Sequence, residues 1–120
     1  MTREPIELPT FREPADIKQQ AVENVIKLIA ENRVIAFIKG SSENPACGFS
    51  ASVVQALKDT ACQFVTVNVL EDPSVRQALS SLHNWPTIPQ LFVDGQLIGG
   101  SDIVSVLAQN GQLQSLLSDQ

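Results

Sequence analysis

The sequence has few cysteines, no basic run and no long apolar run. Its two cysteines, Cys47 and Cys62, are too few for a disulfide framework and suit a reducing compartment. No apolar stretch approaches the ~18 residues of a membrane span. The net charge of −5 makes nucleic acid and anionic membrane poor candidates for partners. A protein that binds neither nucleic acid nor membrane is expected.

The first residues also lack the marks of a targeting signal. Met1–Pro14 contains no apolar run of the secretory kind, and its acids Glu4, Glu7 and Glu13 are unlike a transit peptide. We therefore expect a cytoplasmic protein. A processed protein of a mitochondrial or plastid matrix, expressed from an added Met1, would look the same.

The chain is long and apolar enough for one domain with a core, since 43% of its 120 residues are hydrophobic. Residues 1–15 read as a tail or arm, and residues 16–120 as the domain. Asp16 is predicted to cap a first helix, with Gln19 completing a capping box, and helical spacing continues to about Glu31.

Two predicted strands follow, joined through a helix. Val34–Ile38 is a continuous apolar run, as expected for a strand covered on both faces. A polar loop leads to a helix that starts at Cys47 and stops near Asp59, and the β-branched segment Gln63–Val69 reads as the second strand. A strand–helix–strand unit of this kind is right-handed, which makes the two strands parallel.

The second half of the sequence is predicted to form a helix, a hairpin and a last helix. Asp72-Pro73 is an N-cap followed by proline at the first helical position. Asp94-Gly95 between Gln90–Val93 and Gln96–Ile98 is a strong hairpin signal. Ser101 is expected to cap a helix that ends at Gly111. The order α-β-α-β-α-β-β-α indicates a small α/β sandwich with helices on both faces of a mixed sheet.

Cys47 is the main candidate for chemistry. It opens a helix after a strand and a polar loop, where the helix dipole stabilises a thiolate, and the nearby Lys39 would favour the charged form further. Position 50 holds Ser50, so Cys47 has no local cysteine partner. Its partner must be a small thiol, a metal or another chain. Cys62 reads as a half-buried structural thiol, with a resolving cysteine as the alternative.

Three other positions carry weaker signals for a ligand. A cis bond between Ile88 and Pro89 would let the Ile88 backbone pair with an extended peptide-like ligand. The helix start at residues 99–102 offers backbone N–H groups to a carboxylate, although a plain capped helix start is commoner. Arg76 lies early in a helix, where a cation suits an anionic ligand, although a solvated arginine is the ordinary case. His83 reads as surface and Trp85 as packing.

Four pieces of the chain together resemble the CGFS-type monothiol glutaredoxins, a branch of the thioredoxin-like fold. The pieces are Lys39-Gly40, Cys47-Gly48-Phe49-Ser50, Trp85-Pro86-Thr87-Ile88-Pro89-Gln90, and Val93-Asp94-Gly95 through Gly99-Gly100-Ser101-Asp102. The resemblance runs from about Asp16 to the C-terminus. It implies a glutaredoxin fold, with a four-stranded mixed sheet flanked by helices.

The resemblance also implies a site for glutathione. Lys39 and Arg76 match the pair that holds its glycine carboxylate, and Ile88, before the cis proline matched by Pro89, matches the residue whose backbone pairs with its cysteine. Ser101 and Asp102 match the pair that takes the γ-glutamyl end of glutathione. Phe49 matches the aromatic residue that walls the site. Cys47 matches the thiolate that binds iron or forms a mixed disulfide.

A [2Fe–2S] cluster usually takes about four thiolates, and we expect two chains to supply two of them through Cys47 and two bound glutathione molecules the other two. The resemblance therefore implies a cluster-bridged homodimer active in cluster transfer or iron homeostasis, with a BolA-like protein and iron–sulfur acceptor proteins as partners. A glutathione-dependent thiol–disulfide oxidoreductase that uses Cys47 is the alternative, and an adaptor without a cofactor is a third reading.

The sequence departs from the family pattern at two places. Ser41-Ser42 replaces the usual Thr-Pro, which is expected to loosen the loop before Cys47. Ser101 stands where many members have a cysteine, which removes the usual candidate for a resolving thiol.

Overall fold

The computed structural model describes residues 14–83 and 87–118, and within them helices and strands follow the predicted order with one helix added. The strands are β1 (Val34–Ile38), β2 (Val65–Asn68), β3 (Gln90–Val93) and β4 (Gln96–Gly99). The helices are α1 (Pro14–Glu31), α2 (Gly48–Asp59), α3 (Pro73–His83), α4 (Ser101–Gln109) and α5 (Gln112–Ser118).

The four strands form one mixed sheet in the order β2-β1-β3-β4. β1 is parallel to β2 and antiparallel to β3, and β3 and β4 form the hairpin. All residues of β1 and β3 are buried, as expected for central strands covered on both sides. The predicted parallel pair, the hairpin and the four-stranded mixed sheet are confirmed.

The core has two parts, one on each face of the sheet. Ile35 and Phe37 of β1 point to the layer of α1 and α3, while Val34, Ala36 and Ile38 point to the layer of α2, α4 and α5. This division follows from the alternation of side chains along a strand. Phe37 and Phe92 meet edge to face in the first layer, with ring centroids 5.7 Å apart.

Several predicted boundaries were wrong. α1 begins at Pro14, so Asp16 lies inside the helix and does not precede it. β2 spans Val65–Asn68 and not the whole of Gln63–Val69, because its pairing with β1 runs only from Ile35 to Ile38. Ser101 is the first residue of α4 and not its cap, since Gly100 holds the N-cap position without a side-chain hydrogen bond.

The helix α5 was missed, and Arg33 shows how it is held. Leu113 and Leu117 of α5 are buried in the core. The Arg33 guanidinium donates hydrogen bonds to the carbonyls of Leu116 and Leu117, at 3.1 and 2.7 Å, where a helix ends with unpaired acceptors. Arg33 also pairs with Asp94 of the hairpin turn at 3.2 Å.

Other predictions are confirmed or lie beyond the described residues. The Asp72 carboxylate accepts hydrogen bonds from the Ser74 N–H and hydroxyl at the start of α3, as an N-cap does. Asp94 and Gly95 both have positive φ, at 51° and 83°, as the predicted tight turn requires. The predictions for the N-terminal arm, for Trp85 and for the His83 side chain lie outside the described part. Within that part, no helix is long and apolar enough to cross a membrane.

Candidate functional site

The loop between β1 and α2 carries the chain to Cys47. The Ala46 N–H donates to the Lys39 carbonyl at 2.8 Å, and Gly40 forms an isolated bridge with Pro45. Gly40 has φ of +91°, and a Cβ there would lie 2.5 Å from the Ala46 nitrogen. Only glycine fits so close an approach of backbone to backbone. The closed loop places Cys47 beside the carboxyl end of β1.

Hydrogen bonds to Asn44 hold the part of the loop that departs from the family pattern. The Asn44 N–H donates to the Ser41 carbonyl at 3.2 Å and to the Ser41 hydroxyl at 3.0 Å. The Ser41 N–H returns a bond to the Asn44 carbonyl at 3.3 Å. These bonds oppose the loosening that the missing proline led us to expect.

Cys47 is the N-cap of α2, and the residue is partly exposed. Its backbone is extended, with φ of −147° and ψ of 159°, and its Sγ accepts a hydrogen bond from the Ser50 N–H at 3.4 Å. Both Cys47 and Cys62 are free thiols. The prediction of an open, unpaired thiol at a helix start is confirmed.

The surroundings of Cys47 favour its thiolate. Burial raises the pKa of the Cys47 thiol, but hydrogen bonds from the Ser50 hydroxyl, the Ser50 backbone and the Phe49 backbone lower it, and the charge of Lys39 adds to them. The net pKa lies below the ordinary value of a cysteine. The predicted direction is confirmed, while Lys39 contributes less than the hydrogen bonds at the start of the helix.

Ser50 connects the thiol to the sheet, a role that the sequence did not reveal. It is fully buried, and its hydroxyl oxygen lies 3.4 Å from the Cys47 sulfur. The same oxygen accepts a hydrogen bond from the Lys39 N–H at 3.0 Å. The Cys47 thiol donates to this oxygen; once the sulfur is a thiolate, the hydroxyl has its own proton free to donate back to it, because the Lys39 N–H occupies only a lone pair.

Seven of the eight predicted site residues line one cavity of about 490 Å³, which we call the groove. They are Lys39, Phe49, Arg76, Ile88, Pro89, Ser101 and Asp102. Cys47, the eighth, does not line the groove but lies two positions before Phe49, and the charge of Lys39 acts on its sulfur. Gly100, which belongs to the helix start proposed for a carboxylate, also lines the groove, and Thr87 and Ile103, which were not predicted as site residues, complete the lining.

The groove carries opposite charges on different elements. Lys39 follows β1 and Arg76 lies on α3, while Asp102 is in the first turn of α4. Among the residues that the structure describes, neither Lys39 nor Arg76 has a carboxylate within ion-pair distance. A ligand with a carboxylate at one end and an ammonium at the other would match this arrangement.

The backbone of Ile88 is the part of that residue which the groove can use. The Ile88–Pro89 peptide bond is cis, as the resemblance implied. The Ile88 side chain is buried, with 7% of its surface exposed, and packs in the core layer of α1 and α3. Ile88 can therefore offer a ligand mainly its backbone groups.

Ile103 of α4 can lie in the groove because Gly99 has no side chain. A Cβ at Gly99 would lie 2.6 Å from Cδ1 and 2.8 Å from Cβ of Ile103, and Gly99 has φ of +148°. The absence of a side chain at position 99 lets Ile103 pack against the end of β4. The Gly99-Gly100 pair could have signalled this close approach in the sequence.

Cys62 lies away from Cys47. It precedes β2 whereas Cys47 follows β1, so the two thiols belong to opposite ends of a parallel strand pair. Cys62 is half-buried, packs against the core layer of α2, and its sulfur contacts the Thr60 carbonyl at 3.7 Å. These contacts agree with the structural reading of this cysteine. A second cavity, of about 770 Å³, lies beside it and includes Arg33 and Phe64.

The described residues do not form a complete metal site by themselves. Across residues 14–83 and 87–118, no group of three or more His, Cys, Asp or Glu side chains is placed to hold a metal ion. A metal centre that uses Cys47 would therefore need ligands from beyond this part of the chain.

Comparisons with known proteins find similar sequences over most of the chain. The family model described as Glutaredoxin matches residues 34–98. The probable monothiol glutaredoxin 2 of Rickettsia typhi is 46% identical over 99 residues, which is 82% of this chain and 86% of that protein. Glutaredoxin 4 of Escherichia coli K12 is 46% identical over 98 residues, 82% of this chain and 85% of its own.

A solved structure supports the fold. The crystal structure of a buckwheat glutaredoxin–glutathione complex superposes with a TM-score of 0.78 and covers 88% of this chain and 94% of its own. Its sequence identity to this chain is 21%, so the similarity is evidence for the fold alone.

Proposed function

Since the chain belongs to the glutaredoxin family and resembles its monothiol members over most of its length, we propose that it binds glutathione and carries a [2Fe–2S] cluster between two copies. The duty that follows is cluster transfer or iron homeostasis. One observation carries the proposal: Cys47 is a partly exposed thiol with a lowered pKa beside a groove of matching charge, and Cys62, the other cysteine, lies at the other end of the strand pair.

The groove accounts for glutathione group by group. Lys39 and Arg76 would hold the glycine carboxylate, because they are the two cations of the lining. The Ile88 backbone would pair with the cysteine residue of the tripeptide. Ser101 and Asp102 would take the γ-glutamyl end, the carboxylate of Asp102 binding its ammonium.

The number of thiolates that a cluster needs implies a dimer. A [2Fe–2S] cluster usually takes about four thiolates. Each chain offers Cys47, so two chains with two glutathione molecules supply four. The cluster is then cargo with exchangeable ligands, which suits a carrier. A BolA-like protein and iron–sulfur acceptor proteins are the proposed partners, and a reducing cytoplasm, or an organelle matrix, is the proposed setting.

The test is anaerobic reconstitution with iron and sulfide, in the presence and in the absence of glutathione. We expect visible absorbance and a dimer with glutathione, and neither without it. Cys47→Ser should abolish both, whereas Cys62→Ser should behave as wild type. A cluster of equal yield without glutathione, or on Cys47→Ser, would rule the proposal out.

The lowered pKa of Cys47 favours a second candidate, a glutathione-dependent oxidoreductase. The thiolate would attack the glutathione sulfur of a glutathionylated protein and release the protein thiol. A second glutathione would then attack the mixed disulfide on Cys47, regenerate the thiolate and leave as glutathione disulfide. Fast turnover by a colourless monomer would favour this enzyme over the carrier.

An adaptor that binds no cofactor makes a third, opposite prediction. A ligand of the folded state raises its thermal stability. Unfolding temperatures that do not change with millimolar glutathione would therefore support the adaptor against both glutathione-dependent functions.

A further inference from the structure

Asn68, the last residue of β2, accepts two backbone hydrogen bonds with one side-chain oxygen. Its Oδ1 accepts from the Gly40 N–H at 3.0 Å and from the Leu70 N–H at 2.9 Å. Gly40 lies two residues after the end of β1, and Leu70 lies two residues after the end of β2. The oxygen therefore joins the two chain segments that leave the parallel strand pair at the same edge of the sheet.

The bond from Gly40 continues the strand pairing with a side chain in place of the backbone. The last backbone bond printed by the pairing runs from the Val69 N–H to the Ile38 carbonyl, at 2.9 Å. Gly40 comes next and is buried, so its N–H needs an acceptor within the protein. Loss of the Asn68 oxygen would leave that N–H unsatisfied and favour a shift of the chain toward another acceptor.

The two segments joined by Asn68 carry the two cations of the groove. Lys39 directly precedes Gly40, and Arg76 follows Leu70 by six residues, in the first half of α3. Both cations line the groove, whereas Asn68 does not. Because the cations belong to different segments, their spacing depends on how each segment leaves the sheet, and the Asn68 oxygen contacts both segments.

We propose that Asn68 is a positioning residue for glutathione, an inference that rests on the proposed function. Through Gly40 and Leu70 it holds the segments of Lys39 and Arg76 at the spacing at which both cations reach one carboxylate. Contacts of this kind lose much of their strength when a group is displaced by about 1 Å. The neutral amide oxygen accepts both N–H groups without placing a negative charge near the ligand, as an aspartate would.

Asn68→Ala tests the inference by titration calorimetry on the cluster-free protein, below the unfolding temperature of each variant. We expect glutathione to bind about tenfold more weakly, because a charged contact is displaced. Glutathione esterified at its glycine carboxylate is the second ligand. It offers the two cations no charge, so wild type should bind it more weakly than glutathione, and Asn68→Ala should bind it as wild type does. A purely structural role of Asn68 would weaken both ligands equally.

Asn68→Ser is a milder variant that carries the test if Asn68→Ala does not fold. The serine oxygen lies one bond closer to the backbone, so we expect it to keep the turn to the Leu70 N–H and to lose the Gly40 N–H. It should therefore be more stable than Asn68→Ala and still bind glutathione more weakly than wild type, with the ester unaffected. Wild-type affinity for glutathione in this variant and in Asn68→Ala would overturn the inference and leave the proposed function standing.

Asn32→Ala is the matched control. The Asn32 Nδ2 donates to the Leu28 carbonyl at 2.8 Å, and Asn32 lines the second cavity and not the groove. We expect a lower unfolding temperature and wild-type affinity for both ligands. A loss of glutathione affinity as large as that of Asn68→Ala would assign the effect to stability and overturn the inference alone. A wild-type protein that binds no glutathione overturns the inference and the proposed function together.

Discussion

The hydroxyl oxygen of Ser50 lies 3.4 Å from the Cys47 sulfur and 3.0 Å from the backbone nitrogen of Lys39. A dithiol redox protein would carry its second cysteine at this position. Here the buried hydroxyl stabilises the thiolate of Cys47 through a hydrogen bond to a charged acceptor. Ser50 thus replaces the second cysteine of a dithiol protein and also forms part of the electrostatic environment of the Cys47 thiol.

Ser50→Ala should raise the pKa of Cys47, because it removes a hydrogen bond that favours the thiolate. Alkylation by iodoacetamide requires the thiolate, so its rate rises as the pH passes upward through the pKa. We expect that rise to move to higher pH in Ser50→Ala. Ser52→Ala, which removes an exposed hydroxyl in the same helix, should leave the profile unchanged. Equal profiles for all three proteins would contradict the role of Ser50.

Arg76→Ala should weaken glutathione binding about 10- to 100-fold, the usual loss when a charged hydrogen bond is removed. Titration calorimetry on the cluster-free protein measures it. Lys27→Ala removes an exposed cation of α1 with the same change in net charge and should bind as wild type. An equal loss in both variants would indicate long-range attraction and not contact with the ligand.

Gly99→Ala should destabilise the fold by roughly 3 kcal/mol, because the new Cβ meets Ile103 in addition to the unfavourable φ. Gly95→Ala has a positive φ with no atom within 4 Å and should cost about 1 kcal/mol. Urea unfolding compares the two. Equal losses would show that Ile103 moves aside freely and that position 99 needs glycine only for its backbone angle.

Arg33→Met should destabilise the fold by about 1.5–3 kcal/mol, since it leaves the last carbonyls of α5 without their donors. Asp94→Asn removes only the ion pair with Arg33. Because Asp94 is 63% exposed, the loss should stay below ~1 kcal/mol, and asparagine tolerates the positive φ. Chemical denaturation of both variants measures the difference. A loss as large in Asp94→Asn would assign the effect to the ion pair.

The sequence predicted the sheet well because its signals are local and strong. The apolar run of β1 and the Asp94-Gly95 turn each depend on neighbouring residues, and both were right. The helix α5 was missed because its anchoring depends on Arg33, more than eighty residues away in the chain. Local patterns carry no information about such a contact.

The predicted site residues came from the resemblance more than from their own patterns. Lys39, Arg76 and Asp102 are ordinary surface residues in isolation, and only the fold brings them to one groove. Thr87 and Ile103 were not predicted because their part in the groove depends on the packing around them. The sequence also did not show that Gly100 and not Ser101 is the N-cap, since both residue types are common at a helix start.

The groove takes Arg76 from one side of the sheet and Ser101 and Asp102 from the other. A tripeptide held at both of its ends would therefore bridge the two helical layers. Occupancy should slow amide hydrogen exchange in α3 and α4 together, although more than fifteen residues separate them along the chain. The molecule would respond to its ligand as one mechanical unit.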